Sequence, residues 1–539
     1  MKRYSILIIV LAAMSASLLG GCGEDPSRPA PSPAPVLTGV DPADGTVLTE
    51  TKVTFTLTFD QNVKSPSSGI PSILVNGPGN VSALYSSGSK VLLSIENLQD
   101  ATSYTVKIPS GVISGFKTDQ EALADIVLAF SVKLPVDPGT VDPTGCNNTA
   151  TRLSERLGLG WNMGNHFDAY YNGSWAGDKE GYPDEEVWGN AKATKATFTA
   201  IKAAGFTSVR IPVSWLRMIG DAPDYTIDAT WLDRVYEVAL WAHEAGLDVI
   251  VNTHHDENHG VSNTYQWLDI KNAATNSALK AQIDGKIAAV WTQIAMRFKD
   301  CGDWLILEGF NELNDGGWGW SSQFTADPTI QCGILNEWNQ IFVDAVRATG
   351  GNNATRWLGV PTYAANPAFA QYLQLPQDPA GKTMVSVHFY DPSDFTIGEA
   401  QYTDWGHTGA SGKKADWGDE DHVKATFGAL FSRYIAENIP VYIGEFGCSM
   451  RSKSDARAWK FYLYYLEYVV KAAKTYGMSC FLWDNGSDGA GQEQHGYFNH
   501  GTGDYIGNSK EVVDVMVKAR FTTDASYTLD SVYNSAPTF

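Results

Sequence analysis

The stretch LILEGFNELN (residues 305–314) contains two carboxylates, Glu308 and Glu312, in and directly after an apolar run. A short apolar run that ends in polar residues is typical of a buried parallel strand whose last residues reach an open edge. Because burying a charge is costly, each glutamate needs either a partner or a chemical role. The remaining sequence indicates which explanation suits which glutamate.

Seven further runs of this kind occur in the same part of the chain, and they are separated by segments with helical periodicity such as 190–204 and 456–476. The eight runs are 157–161, 206–211, 247–254, 304–308, 356–360, 384–390, 440–445 and 478–483. Eight strands alternating with helices predict the α/β fold of a (β/α)8 TIM barrel. A doubly wound sheet also alternates, but it does not need eight comparable strands, and no GxGxxG motif opens this series.

Side chains alternate across a strand, so residues of one parity face the barrel interior. In MVSVHFY (384–390) the polar residues Ser386, His388 and Tyr390 share one parity. The same sorting gives further inward candidates: His254 with Asn252, Arg210 with Ser208, Glu312 with Glu308, and Glu445 with Val441 and Ile443. Polar residues thus concentrate at the C-terminal ends of the strands, where barrel enzymes have their active sites.

Two acids end different predicted strands, Glu312 after the fourth and Glu445 after the seventh. A retaining glycosidase needs two carboxyl groups about 5 Å apart, one protonated for the leaving oxygen and one ionised to attack the anomeric carbon. Taken singly, either residue could equally be half of a buried ion pair. Glu308 lies deeper along the strand and fits an ion pair better, with Arg210 or a backbone donor as its partner.

The N-terminal residues predict export. Residues 1–22, MKRYSILIIVLAAMSASLLGGC, combine a basic start, a short apolar run and small residues before Cys22, which is typical of a signal peptide. LGGC (19–22) also resembles a bacterial lipobox, so Cys22 is predicted to carry a lipid. An ordinary cleaved signal with an incidental cysteine is the alternative.

A Pro-rich linker is predicted at 23–35, and a second linker at 135–145 separates two domains. Between them, residues 36–134 alternate apolar and polar in strand fashion and predict a small β-sandwich. Its segments PADGTVL, TFTLTFDQNV and ATSYTVKIPSGV resemble bacterial Ig-like domains. The catalytic barrel is predicted to occupy residues 146–539.

Composition excludes several partners and cofactors. A net charge of -21 argues against binding to nucleic acid or to an anionic lipid surface, and suits a neutral substrate. The five cysteines after Cys22 are scattered and form no CxxC motif, so neither a disulfide framework nor a zinc site is predicted. We therefore predict no metal and no cofactor. No run after the signal is long and apolar enough for a transmembrane helix.

Seven motifs in the same order resemble glycoside hydrolase family 5, whose members are retaining endo-β-glucanases and related barrel enzymes: GWNMGN, SVRIPVSW, NTHHD, FNE, VHFY, IGEFG and FLWDNG. They span residues 153 to about 506. The resemblance implies that Glu312 is the acid/base, that Glu445 is the nucleophile and that Asn311 binds the 2-hydroxyl of the sugar.

The resemblance also implies supporting roles. Arg210 and Tyr390 would contact Glu445, and Trp483 would form the stacking floor beneath the sugar. Two histidines, His254 and His388, would bind or orient groups around Glu312 and the sugar, and His255 is included with them although parity favours His254. For these histidines and Tyr390, a satisfied core residue is the alternative.

Loop segments WGHTG, HFYDPSDFT and GVPTYAANP resemble the subfamily that contains bacterial surface xyloglucanases and broad endoglucanases. Trp318 and Trp320 would stack sugars on the leaving-group side, and Trp267 or Trp175 on the other side. Asn165 would contact the sugar on the glycone side. The neighbouring His166 departs from the Thr or Gln common in the family, so the resemblance does not define the specificity at that subsite.

Together these features predict a monomeric, retaining endo-β-1,4-glucan hydrolase of plant cell-wall polysaccharide, with xyloglucan as first substrate and cellulose-type or mixed-linkage glucan as second. We expect it to be lipid-anchored in a bacterial envelope, at the outer-membrane surface, or otherwise periplasmic or secreted, with the Ig-like domain holding the barrel away from the membrane. Two alternatives stay open: a non-catalytic glycan-binding lipoprotein and a β-mannanase of the same fold.

Overall fold

A computed structural model describes residues 32–539 except 49, 66, 100–101, 118–119, 121, 133–140, 174, 259–264 and 399–401. The predicted signal peptide with Cys22, and most of the predicted linkers, lie outside the described residues. The chain divides into two compact units at Pro135 and Val136. Among the described helices, none combines the length and the apolar character needed to cross a bilayer.

The first unit is an all-β sandwich, as predicted. Its two four-stranded sheets have the strand orders β1-β3-β7-β6 and β2-β10-β8-β5, and β4 pairs with β9. Residues such as Phe55, Leu93 and Phe130 from facing sheets form its core. The strands are β1 Leu37–Asp41, β2 Val47–Leu48, β3 Val53–Phe59, β4 Val63–Lys64, β5 Leu74–Asn76, β6 Asn80–Ser87, β7 Lys90–Glu96, β8 Thr102–Ile108, β9 Ser114–Gly115 and β10 Ile126–Val132.

The second unit is a closed barrel of eight parallel strands in sequence order, which confirms the predicted (β/α)8 fold. Each strand overlaps one of the eight predicted runs. Its strands are β11 Leu159–Met163, β12 Ser208–Ile211, β13 Asp248–Asn252, β14 Leu305–Glu308, β15 Leu358–Pro361, β16 Thr383–Phe389, β17 Val441–Phe446 and β18 Ser479–Asp484. The strands are buried on both faces, because the helices cover the outside and side chains fill the inside.

Helices follow the strands and cover the barrel. The α-helices are α1 Thr149–Leu157, α2 Lys195–Ala203, α3 Ala229–Glu244, α4 Ile270–Ala273, α5 Ser277–Arg297, α6 Ser322–Ala326, α7 Pro328–Ala348, α8 Ser393–Thr396, α9 Glu420–Leu430, α10 Ala456–Thr475, α11 Ser509–Phe521 and α12 Leu529–Tyr533. The helix predicted at 190–204 begins later than expected. Asn190 instead donates to the carbonyls of Asn165 and Asn485 at 2.8 and 3.0 Å and joins two loops at the barrel mouth.

A register shift in β17 corrects the parity argument for Glu445. Val441 and Ile443 pack in the core under the helices, whereas Tyr442 packs inside the barrel. Opposite β16, Val387 pairs with Ile443 but the next residue, His388, pairs with Glu445. The extra residue is a β-bulge, which turns Glu445 inward although strict alternation would place it outside.

Candidate active site

Arg210 in β12 lies at the centre of a buried polar layer beneath the barrel mouth. Its Nε donates to Glu308 at 2.7 Å, and its Nη1 donates to Glu445 at 2.8 Å. Its Nη2 donates to Asn311 Oδ1 at 2.7 Å. The predicted partnership of Glu308 with Arg210 is therefore present, and the same guanidinium also holds Glu445 and Asn311 in fixed positions.

Asn162 in β11 supports both Arg210 and the bulge. Its Oδ1 accepts from Arg210 Nη1 at 3.0 Å, and its Nδ2 donates to the carbonyl of Gly444 at 2.8 Å. A Cβ at Gly444 would lie 3.0 Å from both His388 Nε2 and Ser386 Oγ, so a side chain fits poorly there. The glycine and the asparagine together fix the bulge that presents Glu445.

The two predicted catalytic carboxylates meet at the mouth. One oxygen of Glu312 and one oxygen of Glu445 lie within 4.8 Å of each other, with His388 between them. This spacing is that of retaining glycosidases, since inverting enzymes keep the two groups about 6.5–9.5 Å apart to admit a water. The separation required by the sequence prediction is present.

Glu445 has donors that favour its charged form. Besides Arg210, the hydroxyl of Tyr390 donates to its Oε2 at 3.0 Å. Burial raises the pKa of Glu445, and the charge of Arg210 opposes that rise. An ionised carboxylate held by a guanidinium and a phenol is suited to act as a nucleophile.

Glu312 lies in a less polar environment. Burial raises the pKa of Glu312 to about 7. The charge of Arg210 opposes this rise, and the charge of Glu308 adds to it. Its Oε1 lies 2.6 Å from His388 Nδ1, and burial lowers the pKa of His388 to about 4. The neutral imidazole accepts a hydrogen bond from the protonated carboxyl of Glu312, so Glu312 keeps its proton and is suited to the role of general acid.

His254 and Trp483 form a parallel pair beside the carboxylates. Their ring planes differ by 4° and their centroids lie 5.8 Å apart. Asn252 Oδ1 accepts from the backbone N–H of Val213 at 3.0 Å, so its Nδ2 faces His254 Nδ1 at 3.3 Å. His254 therefore carries its proton on Nε2, which lies 3.9 Å from Glu445 Oε1 and is available to donate at the mouth.

Three ligand-type side chains, Asp168, His254 and His255, bring one atom each within 4.8 Å. The hydrogen bonds of His254 do not suit a metal. The Asp168 oxygens accept the backbone N–H groups of Asn165 and His166 at 3.0 and 2.7 Å. Both nitrogens of His254 are also committed, one as an acceptor and one protonated, so the cluster lacks a free imidazole lone pair from that residue.

The glycone-side residues differ in part from expectation. Asn165 lies at the mouth with a positive φ of 53°, at the turn that Asp168 and Asn190 fix. His166 is fully buried, its ring lies beside those of Phe167 and His500, and its Nε2 lies 3.0 Å from the carbonyl of Ala191. The departure at His166 therefore lies in the core, since its ring is 0% exposed.

The predicted stacking tryptophans divide by exposure. Trp320 is 84% exposed, Trp175 is 62% exposed and Trp318 is 46% exposed, so their rings are accessible to a ligand. Trp267 is committed to the protein instead, since its Nε1 donates to Asp256 Oδ1 at 2.7 Å and Lys286 lies over its ring. Stacking of sugars on the three exposed rings stays a prediction.

Sequence reasoning missed two residues, Tyr442 and Asn162, of the buried polar layer around Arg210, here called the lower layer. Ser386 Oγ and Tyr442 Oη each donate to Glu308 Oε1 at 2.6 Å. Parity predicts the inward direction of Ser386, whereas Tyr442 and Asn162 are not predicted from the sequence. The inward direction of Tyr442 follows only once the bulge in β17 is known. The inward direction of Asn162 follows from side-chain alternation in the first strand.

A closed β/α barrel that holds two carboxylates within 4.8 Å at its C-terminal mouth defines the class of retaining glycoside hydrolases. Residues 168–489 match the family Cellulase (glycosyl hydrolase family 5), and the chain belongs to this family, as the motifs predicted. Residues 31–132 match the bacterial Ig-like domain.

Several relatives support the assignment. Endoglucanase A of Paenibacillus barcinonensis is 36% identical over 363 residues, which cover 65% of this chain and 84% of that protein. A xyloglucan-specific endo-β-1,4-glucanase of Bacteroides ovatus is also 36% identical, over 64% of this chain and 67% of that protein. The structure of a broad-specificity endoglucanase from Bacteroides salanitronis is 50% identical, with a TM-score of 0.66, 70% coverage of this chain and 96% of that chain.

Proposed function

We propose that this protein hydrolyses internal β-1,4 bonds of plant cell-wall glucans with retention of configuration. The observation that carries the proposal is the separation of Glu312 and Glu445, whose nearest ligand oxygens lie within 4.8 Å. That distance suits direct attack by one carboxylate while the other protonates the leaving group. The different donors around the two residues assign the roles.

In the first step Glu445 attacks the anomeric carbon, and the bond to the glycosidic oxygen breaks as Glu312 gives that oxygen its proton. A glycosyl ester of Glu445 results. In the second step Glu312, now ionised, takes a proton from water, and the resulting hydroxyl adds to the anomeric carbon and releases Glu445. The two inversions at the same carbon restore the original β configuration.

Arg210 and Asn311 prepare the site for this chemistry. Arg210 stays charged between Glu308 and Glu445 and is hydrogen-bonded to both, so the nucleophile is oriented without the substrate. Asn311 lies directly before Glu312 and offers its amide to the 2-hydroxyl of the sugar at the cleavage point, a contact that strengthens in the transition state.

Xyloglucan is the proposed first substrate, and cellulose-type or mixed-linkage glucan is the second. Relatives named as a xyloglucan-specific endo-β-1,4-glucanase and as a broad-specificity endoglucanase support this range. The exposed Trp318 and Trp320 on the loop that follows Glu312 offer stacking surfaces suited to a long chain. A neutral polysaccharide also suits a protein with a net charge of -21.

Product analysis on a panel of soluble β-glucans and mannans tests the proposal. We expect oligosaccharides of intermediate length from xyloglucan or unbranched β-glucan, released first as the β anomer in a proton NMR time course. Release from mannan alone would identify a β-mannanase. Binding of glucan without any new reducing ends would identify a glycan-binding protein and contradict the enzymatic proposal.

We also propose that the protein is a lipoprotein of the bacterial envelope, anchored through Cys22 at the outer-membrane surface. The support is the sequence LGGC after a short apolar run. Labelling of cells with a fatty acid should give a labelled protein in the membrane fraction. The variant Cys22→Ala should lose the label, and label that persists in this variant would contradict the assignment.

A further inference from the structure

His388 places one imidazole nitrogen between the two catalytic carboxylates. Its Nδ1 lies 2.6 Å from Glu312 Oε1 and 3.7 Å from Glu445 Oε2. One ligand atom from each of the three residues lies within 4.8 Å of the other two. The Glu312 side chain is 18% exposed, so solvent reaches this group from its side. The three side chains therefore converge on one small, accessible volume at the barrel mouth.

One imidazole nitrogen with two carboxylate oxygens is a ligand set for a first-row divalent cation such as Zn²⁺ or Cu²⁺. Bonds from zinc to such atoms are about 2.0–2.2 Å long, which places tetrahedral ligand atoms about 3.3–3.6 Å apart. The contact of His388 with Glu312 has to open and that with Glu445 has to close, each by less than about 1 Å. Small rotations of the two glutamate side chains provide such movements.

The lone pair of His388 Nδ1 faces a proton that a metal ion can displace. That proton belongs to the carboxyl group of Glu312 and exchanges with solvent, unlike the backbone N–H groups that occupy the Asp168 oxygens. On the opposite side of the ring, His388 Nε2 is buried and has no hydrogen-bond partner among the described residues. It can therefore carry the ring proton whatever Nδ1 binds.

The charges around the catalytic pair also favour a divalent cation. Arg210 supplies one positive charge, which it shares between Glu308 and Glu445. If Glu312 gives up its proton, the three carboxylates exceed that charge by two. Uncompensated charge is costly in a buried site, and a divalent ion in place of the proton makes the group of four side chains neutral.

We propose that Glu312, His388 and Glu445 form an inhibitory site for a first-row divalent cation, with Zn²⁺ and Cu²⁺ as the ions that suit the ligand set. The inference rests on the proposed function, because inhibition follows from the roles of the two carboxylates. The bound ion sends the proton of Glu312 to solvent and occupies the space through which the anomeric carbon approaches Glu445. Metal and substrate therefore exclude each other. Mg²⁺ prefers an all-oxygen ligand set and should bind poorly.

Isothermal titration calorimetry tests the site directly, with Zn²⁺ added to protein that has been treated with EDTA and freed of the chelator. The variants are His388→Ala, Glu312→Gln and Glu445→Gln. The two glutamine variants keep the shape of the side chain, so they give the result if His388→Ala does not fold. His422→Ala is the matched control, since His422 Nε2 lies 2.8 Å from Asp391 Oδ2 in a histidine–carboxylate pair outside the catalytic group. Inhibition by Zn²⁺ and by Mg²⁺ is measured on 4-nitrophenyl β-cellobioside.

We expect one Zn²⁺ per chain at the tightest site. Its affinity should fall by at least about 10-fold in each of the three variants and stay within about twofold of the wild type in His422→Ala, because the control retains all three ligands. Zn²⁺ should raise the apparent KM for the cellobioside and leave kcat unchanged. The same concentration of Mg²⁺ should change neither.

Zn²⁺ binding that persists unchanged in the three variants, or that His422→Ala abolishes, would overturn the proposal, because the ion would then bind elsewhere. Inhibition that lowers kcat without raising KM, or equal inhibition by Mg²⁺, would overturn it as well. Calorimetry requires no turnover and so separates this inference from the proposed function. An inactive wild type that binds Zn²⁺ at these residues would overturn the function and leave the metal site standing, whereas an active wild type that binds no Zn²⁺ overturns the inference only.

Discussion

Two layers of the same barrel use glutamate in different ways. In the lower layer, Glu308 is fully buried and accepts from Arg210, Ser386 and Tyr442. In the upper layer, Glu312 lies four residues further along the chain, and its nearest partner is the neutral ring of His388. The two residues are four positions apart in LILEGFNELN, yet one is suited to be a permanent anion and the other a proton donor.

The difference comes from the number of donors each carboxylate meets. Burial alone would raise the pKa of Glu308, but the charge of Arg210 and the two hydroxyl donors outweigh it, so that pKa is lowered. Burial raises the pKa of Glu312 to about 7, since no comparable donors oppose it. Arg210 supplies one positive charge to Glu308 and Glu445, and a third anion at Glu312 would be uncompensated.

Removal of the nucleophile should cause the largest loss of activity. Glu445→Ala should lower kcat by at least about 10⁴-fold, because no covalent intermediate can form. Azide should restore turnover of an activated aryl glycoside and give the product of inverted configuration, which NMR identifies. Tyr390→Phe, which retains the carboxylate, is the control and should lose far less. A folded alanine variant that azide does not rescue would contradict the assignment.

Removal of the proton donor should have a large effect that depends on the leaving group. Glu312→Ala should lose about 10²- to 10⁴-fold in kcat/KM on glucan, whose leaving group needs a proton. On an aryl glycoside with an acidic leaving group the loss should be much smaller. Steady-state kinetics on both substrates gives the comparison, and equal losses on the two would argue against the acid role.

A change in the lower layer should affect the upper layer through Arg210. Glu308→Gln keeps the shape of the side chain but removes its charge, so Glu445 becomes the only anion paired with Arg210 in this layer. We expect the free energy of unfolding, measured in urea, to fall by about 1–3 kcal/mol. Loss of the negative charge should lower the pKa values of both Glu445 and Glu312. Both limbs of the kcat/KM pH profile should therefore move to lower pH. Ser386→Ala removes a donor without changing a charge, so an equal shift in this control would contradict the explanation.

The pH profile of the wild type tests the contrast without a mutation. Glu312 must be protonated at the start of the reaction, and its pKa is raised from the usual 4.5 to about 7. Activity on glucan should therefore persist through weakly acidic pH and decline as pH rises through about 7. The measurement is kcat/KM against pH in a buffer of constant ionic strength. A decline that is complete below pH of about 6 would contradict the raised pKa.

The smallest effects are expected outside both layers. Trp320→Ala should raise KM for long glucans by about 2- to 10-fold, because a stacking contact is lost, and should leave KM for an aryl cellobioside unchanged. Stability should change by less than about 0.5 kcal/mol, because the ring is exposed. Trp175→Ala provides the comparison with another exposed ring. Loss of activity on the short substrate would show that Trp320 acts on the catalytic pair rather than on chain binding.

Sequence reasoning was accurate where regular alternation continues. In β16 the inward parity of Ser386 and His388 was predicted, and both side chains contact glutamates inside the barrel. In β17 the same rule predicts that Val441, Ile443 and Glu445 all face inward, but Val441 and Ile443 pack under the helices, and only the bulge at Gly444 turns Glu445 inward.

The sequence by itself determined the eight strands, their order and the residue types at their C-terminal ends, because hydrophobic periodicity and short motifs are local properties. Tertiary structure alone decided the protonation states and directions of the acids. Those depend on Arg210 and Tyr442, which contact the acids from other strands, and on Asn162, which holds Arg210 and the bulge. A pKa is set by the burial and donors around a group in space, and most of those neighbours are distant in the chain.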